Sequence, residues 1–88
     1  MQELKLKITN PDGLHARPAA MFVKVASKYS SDLEIQTSEK VANGKSIIGI
    51  MSLGAFYGEE ITLIADGPDE RELLEDMKKL FENNFQEV

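Results

Sequence analysis

Residues 13–20 read Gly13-Leu14-His15-Ala16-Arg17-Pro18-Ala19-Ala20 and set an imidazole two positions from a guanidinium. His15 is the chain's one histidine, and a lone histidine in a small protein usually has no special role. Its setting makes it a candidate. A glycine-containing turn precedes it, and Pro18 stands in or just before the first turn of a helix. Free backbone N–H groups at a helix start favour an anion, and Arg17 can grip phosphate oxygens in a fork. The positive helix end also disfavours an imidazolium, which keeps the ring an uncharged nucleophile. Nucleophile, amide nest and arginine within three residues are what a phosphoryl acceptor needs. The candidate catalytic residues are therefore His15, Arg17 and Pro18, with Ala16 and Arg17 as phosphate binders. No metal is called for, since the histidine lacks companion ligands, and no cofactor either. One point stays open. The residue before a proline is biased away from helical geometry, which makes Arg17 the cap and Pro18 the first helical residue. A start at Ala16 would free different amides.

A second candidate is Lys45-Ser46-Ile47-Ile48-Gly49-Ile50-Met51. Ser46 opens a short apolar stretch, where its hydroxyl can cap an amide. The plainer reading is a capping serine and nothing more. Phosphate added there would interact well with the helix end and leave the fold intact, changing the surface beside exposed isoleucines. That is the behaviour of a switch in binding.

These segments need a frame. Leu4, Leu6 and Ile8 alternate with lysines as in a half-buried strand, and Asn10-Pro11-Asp12-Gly13 is a dense turn signal. Ala19, Phe22, Val23 and Ala26 recur at helical spacing as far as Tyr29-Ser30-Ser31. Leu33, Ile35 and Thr37 alternate, break at Ser38-Glu39 and lead into Lys40–Asn43 as a hairpin. Ser46–Leu53 reads as a short helix weakened by Gly49. Tyr57-Gly58 then turns the chain into a strand over Glu60–Ala65. The last segment is the clearest helix, with Asp69 as cap and Glu72 as its capping-box partner. Leu73, Leu74, Met77, Leu80, Phe81 and Phe85 make its buried stripe. The order β-α-β-β-α-β-α, with strands apolar on one face, predicts an α+β domain. Its form is a two-layer open-faced sandwich, a four-stranded antiparallel sheet covered on one face by three helices.

The composition fits one small domain over residues 1–88: 42% of the residues are hydrophobic, 28% are charged and none is cysteine. Disulfides and thiolate metal sites are excluded. The start carries no signal or transit pattern and no apolar run nears the length of a membrane span, so a cytoplasmic protein without membrane insertion is expected. The net charge of −5 argues against direct nucleic-acid binding. It is unevenly spread: residues 1–58 carry five acids and seven bases, residues 59–88 ten acids and three bases. Arg17, Lys24, Lys28 and Lys45 lie in the first part, where a mildly basic face suits an acidic protein partner, although solvated surface charge is the plainer reading of any one of them.

Both motifs, at these positions, resemble those of the HPr family, the histidine-containing phosphocarriers of the bacterial phosphoenolpyruvate:sugar phosphotransferase system. Gly-Leu-His-Ala-Arg-Pro-Ala at 13–19 resembles the family's active-site signature, and Lys-Ser-Ile-Ile-Gly-Ile-Met-Ser-Leu-Gly at 45–54 its second signature in Gram-positive-type members. The likeness covers essentially the whole chain in length, element order and motif position. It implies a carrier and not an autonomous enzyme: Enzyme I, charged by phosphoenolpyruvate, phosphorylates His15 on Nδ1, and the group passes to IIA units of sugar permeases. Arg17 would steady the phosphoryl group and Pro18 help set the helix start. The resemblance also implies that an HPr kinase/phosphorylase modifies Ser46, slowing transfer and creating a corepressor for a catabolite-control transcription regulator. Ile47, Ile48 and Met51 would dock partners, with Ala20 and Lys24 beside them, and a monomer is expected. Ile48 departs from the methionine common there, which loses some flexibility. The other readings are a purely regulatory protein acting through Ser46, a carrier for a nitrogen-linked or other regulatory branch, and a plain interaction module.

Overall fold

The computed structural model describes residues 1–85. Its elements are β1 (Gln2–Lys7), α1 (Ala16–Ala26), β2 (Asp32–Gln36), β3 (Val41–Asn43), α2 (Ile47–Ser52), β4 (Glu60–Asp66) and α3 (Glu70–Glu82). The strands form one antiparallel sheet in the order β1-β4-β2-β3. The architecture is the expected α+β sandwich. Alternation sets which face is covered: Leu33 and Ile35 of β2 and Ile61, Leu63 and Ala65 of β4 turn inward and are buried. The residues that alternate with them, such as Glu34 and Glu60, lie on the uncovered face.

Phe22 of α1 and Leu73, Leu74, Met77 and Phe81 of α3 close the core over the sheet. The Phe22 and Phe81 rings meet edge to face with centroids 6.2 Å apart, a contact worth about 1 kcal/mol beyond burial. Ile50 is the buried residue of α2, which therefore rests on the core by one peg.

Three sequence expectations change. First, α3 ends at Glu82, so Phe85 lies beyond the helix that was to carry it. Phe85 is buried all the same, because the chain hooks back: its amide donates to the Leu80 carbonyl at 3.0 Å. Secondly, Thr37 falls outside β2, and its hydroxyl accepts from the amides of Glu39 and Lys40 to close the hairpin turn. Thirdly, Asp69 precedes α3 but makes no capping bond within it, and the Asp69/Glu72 box does not form. Its carboxylate instead accepts from the amides of Ser30 and Ser31, each at 2.9 Å, and from the Ser31 hydroxyl. The neighbouring loop outcompetes the helix's own amides for that carboxylate. Glu70 covers the start instead, accepting from the Gly67 amide at 3.1 Å.

The loop after α1 is thus a junction. The bonds from Ser31 and Ser30 hold the Asp69 carboxyl down at about 2. Tyr29 donates to Asp76, and that bond pushes the phenol up to about 12. Lys45 Nζ donates to the Tyr29 carbonyl at 2.7 Å, tying the residue before Ser46 to the far end of α1.

Candidate functional site

Helix α1 begins at Ala16 with His15 as its N-cap, which settles the open point against a start at Pro18. The first turn is closed by the Ala19 amide donating to the His15 carbonyl at 2.8 Å. Pro18, third in the helix, has no N–H to lose where first-turn donors lack helical acceptors anyway. Arg17 is helical despite preceding a proline; that closed turn and the burial of Pro18 and Ala19 outweigh the local bias.

The start leaves the amides of Ala16 and Arg17 without hydrogen-bond partners among the described residues. His15 has extended backbone (φ −88°, ψ −161°), makes no side-chain capping bond and is exposed. Arg17 is exposed as well. Ring, guanidinium and two donors therefore meet solvent at one helix end, where the helix dipole favours negative charge.

The turn ahead of His15 is tightly specified. The Gly13 amide donates to the Asn10 carbonyl at 3.1 Å, and Asn10 Nδ2 donates to the Gly13 carbonyl at 2.7 Å. Gly13 has φ +60°, and a Cβ there would lie 2.6 Å from the Ala55 carbonyl oxygen, so only glycine fits. Leu14 is buried and its amide donates to that same carbonyl at 3.0 Å.

Ser46 is the N-cap of α2. Its hydroxyl accepts from the Gly49 amide at 3.0 Å, as the capping reading requires. Ile47 and Met51 are partly exposed and Ile48 is 79% exposed, whereas Ile50 is buried. Ala20 and Lys24 are exposed on α1, one and two turns on from Ala16. As α1 and α2 pack together, these residues belong to the same helical layer as His15.

Two features were not among the candidate site residues. Phe56 and Tyr57 are both exposed, and Phe56 is brought to the His15 turn, its Cα 2.8 Å from where a Gly13 side chain would start. The available signal was two adjacent aromatics just before Gly58, outside any amphipathic period. Asn10 is the other: buried, it closes the turn by one amide bond, and its Oδ1 has no partner among the described residues. An asparagine ahead of Pro-Asp-Gly was the clue.

The family described as "PTS HPr component phosphorylation site" matches residues 2–83. The HPr-like protein Crh of Bacillus subtilis is 47% identical over 75 residues, covering 85% of this chain and 88% of Crh. One structure of Crh, with a TM-score of 0.76 and 40% identity over 99% of this chain and 100% of that one, is described as a dimer with a swapping domain. Phosphocarrier protein HPr of Treponema pallidum is 39% identical over 82 residues, 93% of each chain. A crystal structure of HPr from Thermoanaerobacter tengcongensis superposes with a TM-score of 0.94 at 46% identity, covering 100% of both chains. The chain belongs to the HPr family of phosphotransferase-system phosphocarriers. No helix among the described residues is long and apolar enough to cross a membrane.

Proposed function

We propose that this chain, acting as one domain in the cytoplasm, carries a phosphoryl group on His15 between phospho-Enzyme I and IIA units of sugar permeases. The observation that carries the reading is the exposed His15 ring at the start of α1, beside Arg17 and two amides without partners among the described residues. A ring nitrogen lone pair forms the N–P bond as the donor's bond to phosphorus breaks. The equatorial oxygens then face the Ala16 and Arg17 amides and the guanidinium, donors aimed at charge that is already fixed on the group. Pro18 is buried and acts by setting the first turn, out of reach of the phosphorus. The carrier works as a monomer whose Ala20, Lys24, Ile47, Ile48 and Met51 meet each partner in turn. A kinase/phosphorylase modifies Ser46, and the modified form slows transfer and binds a catabolite-control regulator.

A second reading, a regulator working through Ser46 alone, draws on the likeness to Crh, whose structure is described as that of a catabolite-repression protein. Incubation with Enzyme I and labelled phosphoenolpyruvate separates the two. The carrier takes up label that is lost in acid and survives base, as phosphohistidine does. His15→Ala loses that label with an unchanged melting temperature. Full labelling of the variant, or none of the wild type, overturns the carrier reading.

A further inference from the structure

We infer that the turn following α3 is a positioning element for the His15 turn, acting through the hydrogen bond between Thr9 and Asn84. The inference builds on the carrier reading for its consequence, though not for its geometry. Asn84 and Phe85 have φ of 52° and 59°, a region non-glycine residues enter rarely and bulky ones more rarely still. Two anchors keep them there. The Phe85 ring is buried with its centroid 4.7 Å from that of Phe81. Asn84 Oδ1 accepts from Thr9 Oγ1 at 2.6 Å, joining positions 75 residues apart. The helix end itself has no need of that side-chain bond, since the amides of Asn83 and Asn84 already donate to the carbonyls of Lys79 and Phe81.

Thr9 stands at the head of the segment that carries His15. On one side residues 55–59 hold this segment: Ile8 exchanges backbone bonds with Glu59 at 2.9 Å and Gly58 at 2.7 Å, and Leu14 is bound to Ala55. Asn10, next to Thr9, directs its one side-chain bond among the described residues to the Gly13 carbonyl inside the turn, and that bond does not anchor the other side. The Thr9–Asn84 bond does. Asn84 and Phe85 also wall, with Arg17 and Pro18, a cleft of about 370 Å³. The hook therefore abuts both the entry to the turn and the first turn of α1. Loosening it lets the turn shift and, with it, the amides of Ala16 and Arg17.

Three variants of the full chain separate positioning from general stabilisation. Thr9→Val removes the hydroxyl and keeps the shape, Thr9→Ser keeps the bond, and Asn84→Gly removes the side chain while easing the backbone. Amide hydrogen exchange of the unphosphorylated protein is the readout. Gly13 and Leu14 should exchange about tenfold faster in Thr9→Val and Asn84→Gly, and as in the wild type in Thr9→Ser, with Leu63 unchanged in all three. Unchanged exchange at Gly13 and Leu14, or equal acceleration at Leu63, overturns the inference. With saturating phospho-Enzyme I, transfer to Thr9→Val should fall several-fold with an unchanged dissociation constant; a wild-type rate breaks the link to His15. If the wild type itself accepts no phosphate, the carrier reading fails while the exchange result still decides the positioning role.

Discussion

Helices α1 and α2 both open on a residue in extended conformation, yet they treat that residue in opposite ways. Ser46 turns its hydroxyl back onto the Gly49 amide, so the cap is satisfied from within. His15 makes no such bond, and the amides of Ala16 and Arg17 behind it have no partner among the described residues. A side chain engaged with its own helix is held still; one that ignores it is available to chemistry. The start of α3 shows a third use, because Asp69 serves the loop of a neighbouring helix. Capping preference therefore located the starts of α2 and α3 but not that of α1, and says little about what each start is for.

The largest effect expected from breaking this contrast is at Arg17. Arg17→Ala should slow phosphoryl transfer by about a hundredfold, if its charge-assisted contacts strengthen in the transition state; rapid-quench rates check this, and wild-type turnover would mean that the two amides suffice. Next comes Ser46→Asp, expected to slow transfer from Enzyme I severalfold with little change in melting temperature, aspartate carrying less charge than phosphate. An unaltered rate would count against the switch. Ser46→Ala sharpens the comparison from the other side. Loss of the cap should cost about 1 kcal/mol, a fall of roughly 4–8 °C in melting temperature for a domain of this size, with transfer to His15 intact.

The smallest effect concerns the third helix start. The Asp69 carboxyl titrates at about 2 when folded against a usual 3.8, so the folded state binds fewer protons than the unfolded chain between those values. Its contribution is present above the unfolded value and is lost as pH falls through the folded one. Melting temperatures of the wild type and Asp69→Asn should therefore differ most near neutrality and converge between pH 3.8 and about 2. A gap that stays constant across that range would assign the effect to shape alone.

Much of this was legible in one dimension. The alternation of Leu33 and Ile35 and of Ile61, Leu63 and Ala65 announced the sheet's inner face, and Leu73, Leu74, Met77 and Phe81 the last helix. The Gly13–Ala20 motif marked the reactive turn because its chemistry depends on neighbours in sequence. What escaped depends on partners far along the chain. Asp69 looked like a cap until the loop at Ser30 and Ser31, nearly forty residues away, claimed its carboxylate. Phe85 kept its helical spacing but sits in a hook that spacing cannot reveal. The start of α1 stayed open for the opposite reason, since a local rule about prolines competed with the packing of Pro18 and Ala19, which prevails.

The face of the sheet that no helix covers has a practical use. On β1, Leu4 and Leu6 lean into the core while Lys5 and Lys7 point the other way, exposed. Amine-directed dyes or tethers placed on those two lysines would hang behind the molecule, so an immobilised or fluorescent carrier could still offer its reactive side to whatever it meets.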